Sequence, residues 1–195
     1  MKRFHYAQPR TEEEAVALLA DASKQSVVLA GGTDLIGLMK RSVVNPDQVV
    51  NIAEIYSLQG IDRDPDGNTW IGAAVHLDEF LDDRSTDAFA SAKQVIQGIS
   101  SIQLQSQGTL IGELLRRPNC WYYRSGNGLL AGNGQMVTDG VNRFHAILGN
   151  RGAAKFVNAS RLSPSLIQLV EKVRVMGSER YEAFLDLSDL YQPPT

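Results

Sequence analysis

The sequence predicts an α+β fold, because helical and strand-like patterns alternate regularly near its start and mix less regularly afterwards. Thr11 to Glu14 has the spacing of a capping box and is followed by an apolar face, so a helix is expected to begin there. Ser26 to Leu29 is a β-branched run typical of a strand, and Asp34 to Lys40 and Gln48 to Ile52 repeat the order of helix and strand. These elements predict a small α/β subdomain over residues 1–57.

A larger and less regular subdomain is predicted over residues 58–180. The polar, turn-rich stretch from Asp62 to Asn68 lies near its start. Residues 115–155 lack periodicity and are predicted as an irregular insertion, and residues 181–195 are predicted as a tail or as the start of a missing C-terminal domain. The patterns between these segments predict a strand at Thr69 to Ala74, a helix over Ser85 to Gln97, a polar segment over Ser100 to Gln107, a strand at Phe156-Val157, a short helix over Pro164 to Leu169 and a strand at Val173 to Met176.

Composition and charge exclude several classes of function. A net charge of −3 without a run of Lys or Arg gives no electrostatic footprint for nucleic acid. The longest apolar runs, such as Ser26 to Ala30, fall far short of the ~20 residues that cross a bilayer, so no membrane partner and a cytoplasmic location are predicted. Cys120 is the only cysteine, which excludes an internal disulfide and a multi-cysteine metal site on this chain alone. His5, His76 and His145 lack metal-ligand spacing, so no metal site is predicted.

The strongest local signal is a glycine loop over Ala30 to Leu35, where a strand ends in Gly31-Gly32 and Thr33 and Asp34 lead into a helix. Two adjacent glycines let the backbone approach a pyrophosphate closely, and free amides and the Thr33 hydroxyl supply hydrogen-bond donors. The alternative is a tight strand-to-helix turn in which Asp34 caps the helix, since Gly-Gly turns are common. Both interpretations fit the loop taken alone.

An ordered series of motifs resembles the flavoprotein subunits of molybdenum hydroxylases, the family of xanthine dehydrogenase, carbon monoxide dehydrogenase and 4-hydroxybenzoyl-CoA reductase. Ala30 to Leu35 matches the family's Ala-Gly-Gly-Thr-Asp-Leu loop letter for letter, and Ile71 to Ala73 matches its Ile-Gly-Ala strand. Residues 108–113 stand at the place of its second glycine loop, Gly-Thr-Leu-Gly-Gly-Asn. Residues 117–124 and 140–149 match two motifs of a subgroup.

The resemblance implies an FAD-binding type-2 (PCMH-like) fold of two α/β subdomains, the larger with a mainly antiparallel sheet. It also implies FAD as the cofactor, and as partners a molybdenum-cofactor subunit and a 2Fe-2S subunit, whose electrons pass through FAD to an acceptor. No catalytic side chain is required of this chain, since the flavin itself does the redox chemistry. The residues that the resemblance assigns to FAD lie in the two loops: Val28, Leu29, Ala30, Gly31, Gly32, Thr33, Asp34, Leu35, Gly108, Thr109, Gly112 and Glu113.

Three positions depart from the family's pattern at its FAD contacts. Ile111 replaces a glycine of the second loop, and a β-branched residue does not readily take a positive φ. Glu113 replaces an Asn, which brings a carboxylate beside the pyrophosphate unless the side chain turns away. Arg161 stands where the family has an Asp that holds the FAD ribose. The resemblance also leads us to expect that the chain lacks the family's C-terminal domain. This expectation and the three departures support an alternative function: a homologue without flavin that acts as a binding or assembly protein.

The subgroup with the second pair of motifs carries four cysteines for an additional 4Fe-4S cluster. Only Cys120 occupies one of these places here, and the others fall near Leu129, at Gln135 and at Ala154. None of these side chains replaces a thiolate on iron. The resemblance therefore implies an insertion without an iron-sulfur cluster.

Overall fold

The computed structural model describes residues 1–99, 101–126, 144, 156–178 and 181–191. Most of the predicted insertion lies outside these ranges, as do Leu129, Gln135, Ala154, His145 and the last residues of the predicted tail. Helices and strands mix throughout the described residues, in agreement with the α+β class.

The α-helices are short and connected by loops. They are α1 (Glu12–Leu19), α2 (Leu35–Lys40), α3 (Leu77–Asp82), α4 (Ala90–Gln97), α5 (Ile102–Gln107), α6 (Leu110–Leu114), α7 (Trp121–Arg124) and α8 (Ser163–Leu166). The strands are β1 (His5–Ala7), β2 (Ser26–Leu29), β3 (Gln48–Asn51), β4 (Ile61–Arg63), β5 (Thr69–Ile71), β6 (Val173–Met176) and β7 (Glu182–Leu185). Single 3-10 turns or short 3-10 helices cover Tyr56–Leu58, Arg84–Phe89 and Leu187–Leu190.

A three-stranded parallel sheet forms the start of the chain, with strand order β1-β3-β2. The central strand β3 is buried along its whole length, because strands cover both of its edges. Helix α1 begins as predicted, since the Thr11 hydroxyl accepts a hydrogen bond of 3.2 Å from the amide of Glu14. The Glu14 carboxylate accepts from the amide of Arg10, one residue before the predicted partner. Ala15 and Val50 lie in the small apolar core between helix and sheet.

The described strands that follow residue 58 pair only antiparallel, β4 with β5 and β6 with β7. A second and larger apolar core lies among the helices of this part, around Phe80, Ile96, Leu162 and Leu166. The glycine loops lie in segments that each core supports: one follows β2, and the other connects α5 with α6. Each of the two apolar cores thus supports one of the two glycine loops.

Three predicted elements differ from the structure. The helix expected over Ser85 to Gln97 is divided into a 3-10 helix and α4, because the Thr86 hydroxyl donates to the carbonyls of Phe80 and Asp83 at 2.7 Å and tightens the first turns. No strand forms at Phe156-Val157, where Val157 is exposed. The polar segment before Gly108 contains α5, whose first turn is capped by Ser101.

One ion-pair cluster connects the sheet region with the later part of the chain. Glu12, at the start of α1, binds Arg174 of β6 through both carboxylate oxygens, at 2.7 and 3.3 Å. The Ser57 hydroxyl donates to the same carboxylate at 2.6 Å. The predicted subdomain boundary at residues 57 and 58 falls within a 3-10 helix and stays a prediction.

Within the described residues, no helix is long and apolar enough to span a membrane.

Candidate functional site

The two glycine loops, far apart in sequence, are in direct contact. A Cβ atom at Gly31 would overlap the carbonyl oxygen of Gln107 and would lie 3.1 Å from the Cα of Gly108. Only glycine allows this approach, because the contact is with backbone that no side-chain rotation can move. The structure therefore brings the two predicted loops to one place.

The first loop presents its backbone rather than its side chains. Gly32 has a φ of +71°, a conformation that side chains rarely adopt, and a Cβ there would meet Ile36 at 2.9 Å. In the part of the chain that the structure describes, the amides from Gly31 to Leu35 donate no hydrogen bond to another backbone group. Unpaired amides beside glycine are suited to an anion.

Asp34 occupies the N-cap position of α2, but its carboxylate makes no hydrogen bond to the helix amides. It accepts instead from Nη1 of Arg124 at 2.7 Å and from the amide of Arg117 at 3.2 Å. The side chains of Asp34 and Arg124 are each 18% exposed. The Asp34 side chain therefore does not cap α2, and the alternative that it does so is wrong.

The second loop is rigidly held. The amide of Leu77 donates to the carbonyl of Gly108, and the amide of Leu110 donates to the carbonyl of Val75, both at 2.9 Å. Thr109, only 1% exposed, lies between them and accepts a hydrogen bond of 3.2 Å from the amide of Gly112. This bond begins α6 and leaves Gly112 exposed next to the loop.

Ile111, the residue that replaces a glycine, lies within α6. The positive φ that would disfavour a β-branched side chain does not occur at this position. The expected backbone conflict is therefore absent from this described loop.

Glu113 is turned away from the loop and paired with two arginines. Its carboxylate lies 3.3 Å from Nη1 of Arg116 and 3.2 Å from Nε of Arg161. Glu113 is 8% exposed, whereas the Arg161 side chain is 46% exposed. One carboxylate between two guanidinium groups leaves a net positive charge beside the second loop. The negative charge that departs from the family's pattern at Glu113 is thus offset by the positive charge that departs from it at Arg161.

These features fit the pyrophosphate of a dinucleotide such as FAD. Two glycine backbones meet, unpaired amides line the first loop, and surplus positive charge lies beside the second. Among the described residues, no three His, Cys, Asp or Glu side chains are grouped as metal ligands. Cys120 is partly exposed directly before α7.

The predicted site residues differ in exposure. Val28 and Thr33 are exposed, Gly108 and Thr109 are buried, and most others are partly buried. The sequence indicates the motif at residues 117–124, but it does not indicate the contact of Arg124 with the first loop. No local pattern indicates a contact between residues 90 positions apart.

Comparison with known proteins identifies the family. The chain matches, over residues 2–195, the family model for the FAD binding domain in molybdopterin dehydrogenase. It is 30% identical over 199 residues to the aldehyde oxidoreductase FAD-binding subunit PaoB of Escherichia coli (strain K12). This match covers 100% of this chain and 62% of that protein. It is 29% identical over 113 residues to the carbon monoxide dehydrogenase medium chain of Hydrogenophaga pseudoflava, which covers 57% of this chain and 39% of that protein.

A solved structure agrees with these relatives. The quinoline 2-oxidoreductase from Pseudomonas putida 86 has a chain that resembles this one with a TM-score of 0.53 and 26% identity, covering 58% of this chain and 40% of that one. The chain spans less than two thirds of the length of each of these proteins. The matches confirm the predicted family, the α+β class and FAD as the cofactor. The chain therefore belongs to the FAD-binding domain family of the molybdopterin dehydrogenases.

Proposed function

We propose that this chain is the FAD-binding subunit of a molybdenum hydroxylase of the xanthine dehydrogenase type. In this proposal it takes electrons from iron-sulfur clusters on partner subunits and passes them through FAD to an acceptor. Its partners are a molybdenum-cofactor subunit and a 2Fe-2S subunit, and it acts in the cytoplasm. Family membership supports the proposal, and the names of the relatives are those of oxidoreductase subunits.

The contact between the glycine loops is the observation that carries the proposal. Because Gly31 lies against the backbone of Gln107 and Gly108, the two loops are close enough to bind one ligand together in the proposed arrangement. The pyrophosphate is the anionic part of FAD, and backbone amides in such turns form concavities that bind anions. A turn that served only to connect a strand and a helix would not need this approach.

The protein supplies binding and electrostatics, and bound FAD supplies the redox chemistry. In the proposal, the first loop donates amide hydrogen bonds to the pyrophosphate. The second loop adds the exposed surface at Gly112, which the bond between the Gly112 amide and the buried Thr109 hydroxyl holds in place. Glu113 acts indirectly, because its carboxylate holds Arg116 and Arg161 beside the loop. The proposed residues of the FAD site, which either contact the cofactor or hold the residues that do, are Val28, Leu29, Ala30, Gly31, Gly32, Thr33, Asp34, Leu35, Gly108, Thr109, Gly112 and Glu113.

A spectrum of the purified chain tests the cofactor directly. We expect the visible absorbance bands of oxidised flavin, either as purified or after incubation with FAD and removal of excess ligand. The partner proposal is tested separately, by co-purification of a tagged chain from its native cells and analysis for molybdenum and iron.

A chain that stays colourless and ignores added FAD would contradict the proposal. That result would favour the alternative of a homologue that keeps the fold as a binding or assembly protein. A chain that binds FAD but co-purifies without molybdenum or iron would retain the cofactor and refute the assignment of partners.

A further inference from the structure

We propose that Arg124 is a positioning residue for FAD: it fixes the Asp34 carboxylate against the segment before α7 and neutralises its charge beside the first glycine loop. The inference rests on the proposed FAD function and adds a residue from outside both loops. It also gives residues 117–124 a role that requires no iron-sulfur cluster.

Arg124 uses each of its three nitrogen atoms. Nε donates to the carbonyl of Pro118 at 2.9 Å, and Nη2 donates to the carbonyl of Arg117 at 2.8 Å. These two bonds fix the guanidinium plane against the chain that leads into α7. Nη1 is left pointing at Asp34, which it binds at 2.7 Å. The guanidinium also lies 5.9 Å from the centre of the Tyr123 ring, whose residue is buried.

Both oxygens of Asp34 are consequently occupied. One accepts from Arg124 and the other accepts from the amide of Arg117. An aspartate at an N-cap position normally accepts hydrogen bonds from the amides two or three residues later. Here that bond is missing: the Ile36 amide donates to the carbonyl of Gly32, and the Asp34 carboxylate is held against Arg117 and Arg124.

Charge gives a second reason for the pairing. An unpaired carboxylate in this loop would repel a dianionic pyrophosphate, and the repulsion grows where water is partly excluded. The Asp34 and Arg124 side chains are mostly buried, so their pairing is less screened than a surface ion pair. Arg124 therefore allows an acidic residue to remain in a loop that binds an anion.

The inference is tested by measuring FAD dissociation constants by flavin fluorescence for a set of variants. We expect Arg124→Gln to weaken FAD binding by about tenfold, which corresponds to about 1.4 kcal/mol. Asp34→Ala in the Arg124→Gln background should restore part of the affinity, because the released carboxylate is the cause of the loss. Arg124→Lys should be intermediate, since it keeps the charge but cannot make three fixed bonds.

Arg10→Gln is the matched control, because Arg10 forms an exposed ion pair with Glu54. It should leave FAD affinity unchanged. Urea denaturation of every variant shows whether the fold is retained, and Arg124→Lys serves if Arg124→Gln does not fold.

Two results overturn the inference. One is unchanged FAD affinity in folded Arg124→Gln. The other is a double variant that binds FAD no better than Arg124→Gln, which would show that Arg124 acts only by holding α7. If the unmodified chain does not bind FAD, the proposed function fails first, and this outcome is distinct from both.

Discussion

At the scale of single residues, the closest backbone approach in the candidate site depends on Gly31. Gly31→Ala should separate the two loops, because the new Cβ would overlap the Gln107 carbonyl oxygen. We expect FAD affinity to fall by at least tenfold and stability to fall by about 1–3 kcal/mol. Flavin titration and urea denaturation measure the two effects.

Gly37→Ala is the matched control for this substitution. Gly37 lies within α2, and a Cβ there meets nothing within 4 Å. Alanine should raise stability by up to about 1 kcal/mol, since it favours the helix, and should leave FAD binding unchanged. Equal loss of FAD binding in both variants would refute the role of the loop contact.

A different outcome is expected at Glu113, the buried partner of Arg116 and Arg161. Glu113→Gln should lower stability by about 1–3 kcal/mol, because the buried hydrogen bonds lose their charge. FAD affinity should not fall and should rise at low salt, since two arginines near the phosphates become uncompensated. Denaturation and flavin titration at two salt concentrations check this; weaker FAD binding at both would contradict it.

The sequence predicted some of these residues and not others, for a physical reason. Gly31 and Gly32 could be predicted, because two adjacent glycines in one short segment indicate that another group approaches the backbone closely there. The direction of the Glu113 carboxylate could not, because it depends on Arg161, 48 residues away in the chain. Local patterns report local geometry, whereas charge pairing depends on the whole fold.

At the scale of elements, Thr109 connects the start of α6 with the second loop. Thr109→Val removes the bond from the hydroxyl to the amide of Gly112 while nearly keeping the shape of the side chain. We expect a stability loss of about 1 kcal/mol and weaker FAD binding, because the turn at the helix start loosens. Thermal denaturation and flavin titration give both values.

Thr11→Val provides the comparison, since Thr11 caps α1 with the same geometry outside both loops. Its stability loss should be similar, with FAD affinity unchanged. If Thr109→Val also leaves FAD affinity unchanged, the cap at α6 has only a structural role.

The elements also show where sequence patterns are sufficient. The start of α1 was predicted because its cap and apolar face are local. Helix α5 was not predicted, because Ile102 and Leu104 are exposed and leave no apolar periodicity. Its signal was the cap at Ser101 alone, which is weak without a buried face.

At the scale of the whole molecule, the Glu12 and Arg174 pair joins the parallel-sheet region to β6. Glu12→Gln should lower stability by about 1 kcal/mol, a modest value because the Arg174 side chain is 32% exposed. We also expect a broader unfolding transition, since the two cores lose a connection. Urea denaturation followed by both fluorescence and circular dichroism detects this change.

Glu54→Gln is the control, because it removes only an exposed pair with Arg10. Coincident transitions in Glu12→Gln with an unchanged midpoint would show that this ion pair does not couple the two cores. Sequence patterns predicted the two regions separately, but not this connection, which spans 162 residues.

The pairing of Asp34 with Arg124 has a consequence for synthesis of the protein. The parallel sheet needs only residues up to Asn51, so it is able to form early on the ribosome. The hydrogen bond that fixes Asp34 in the glycine loop requires Arg124, which is synthesised 90 residues after Asp34. A nascent chain therefore passes through a stage with a folded sheet and no competent flavin site. In the proposed arrangement, FAD binding therefore follows the synthesis of Arg124, and the protein is first an apoprotein with a folded sheet.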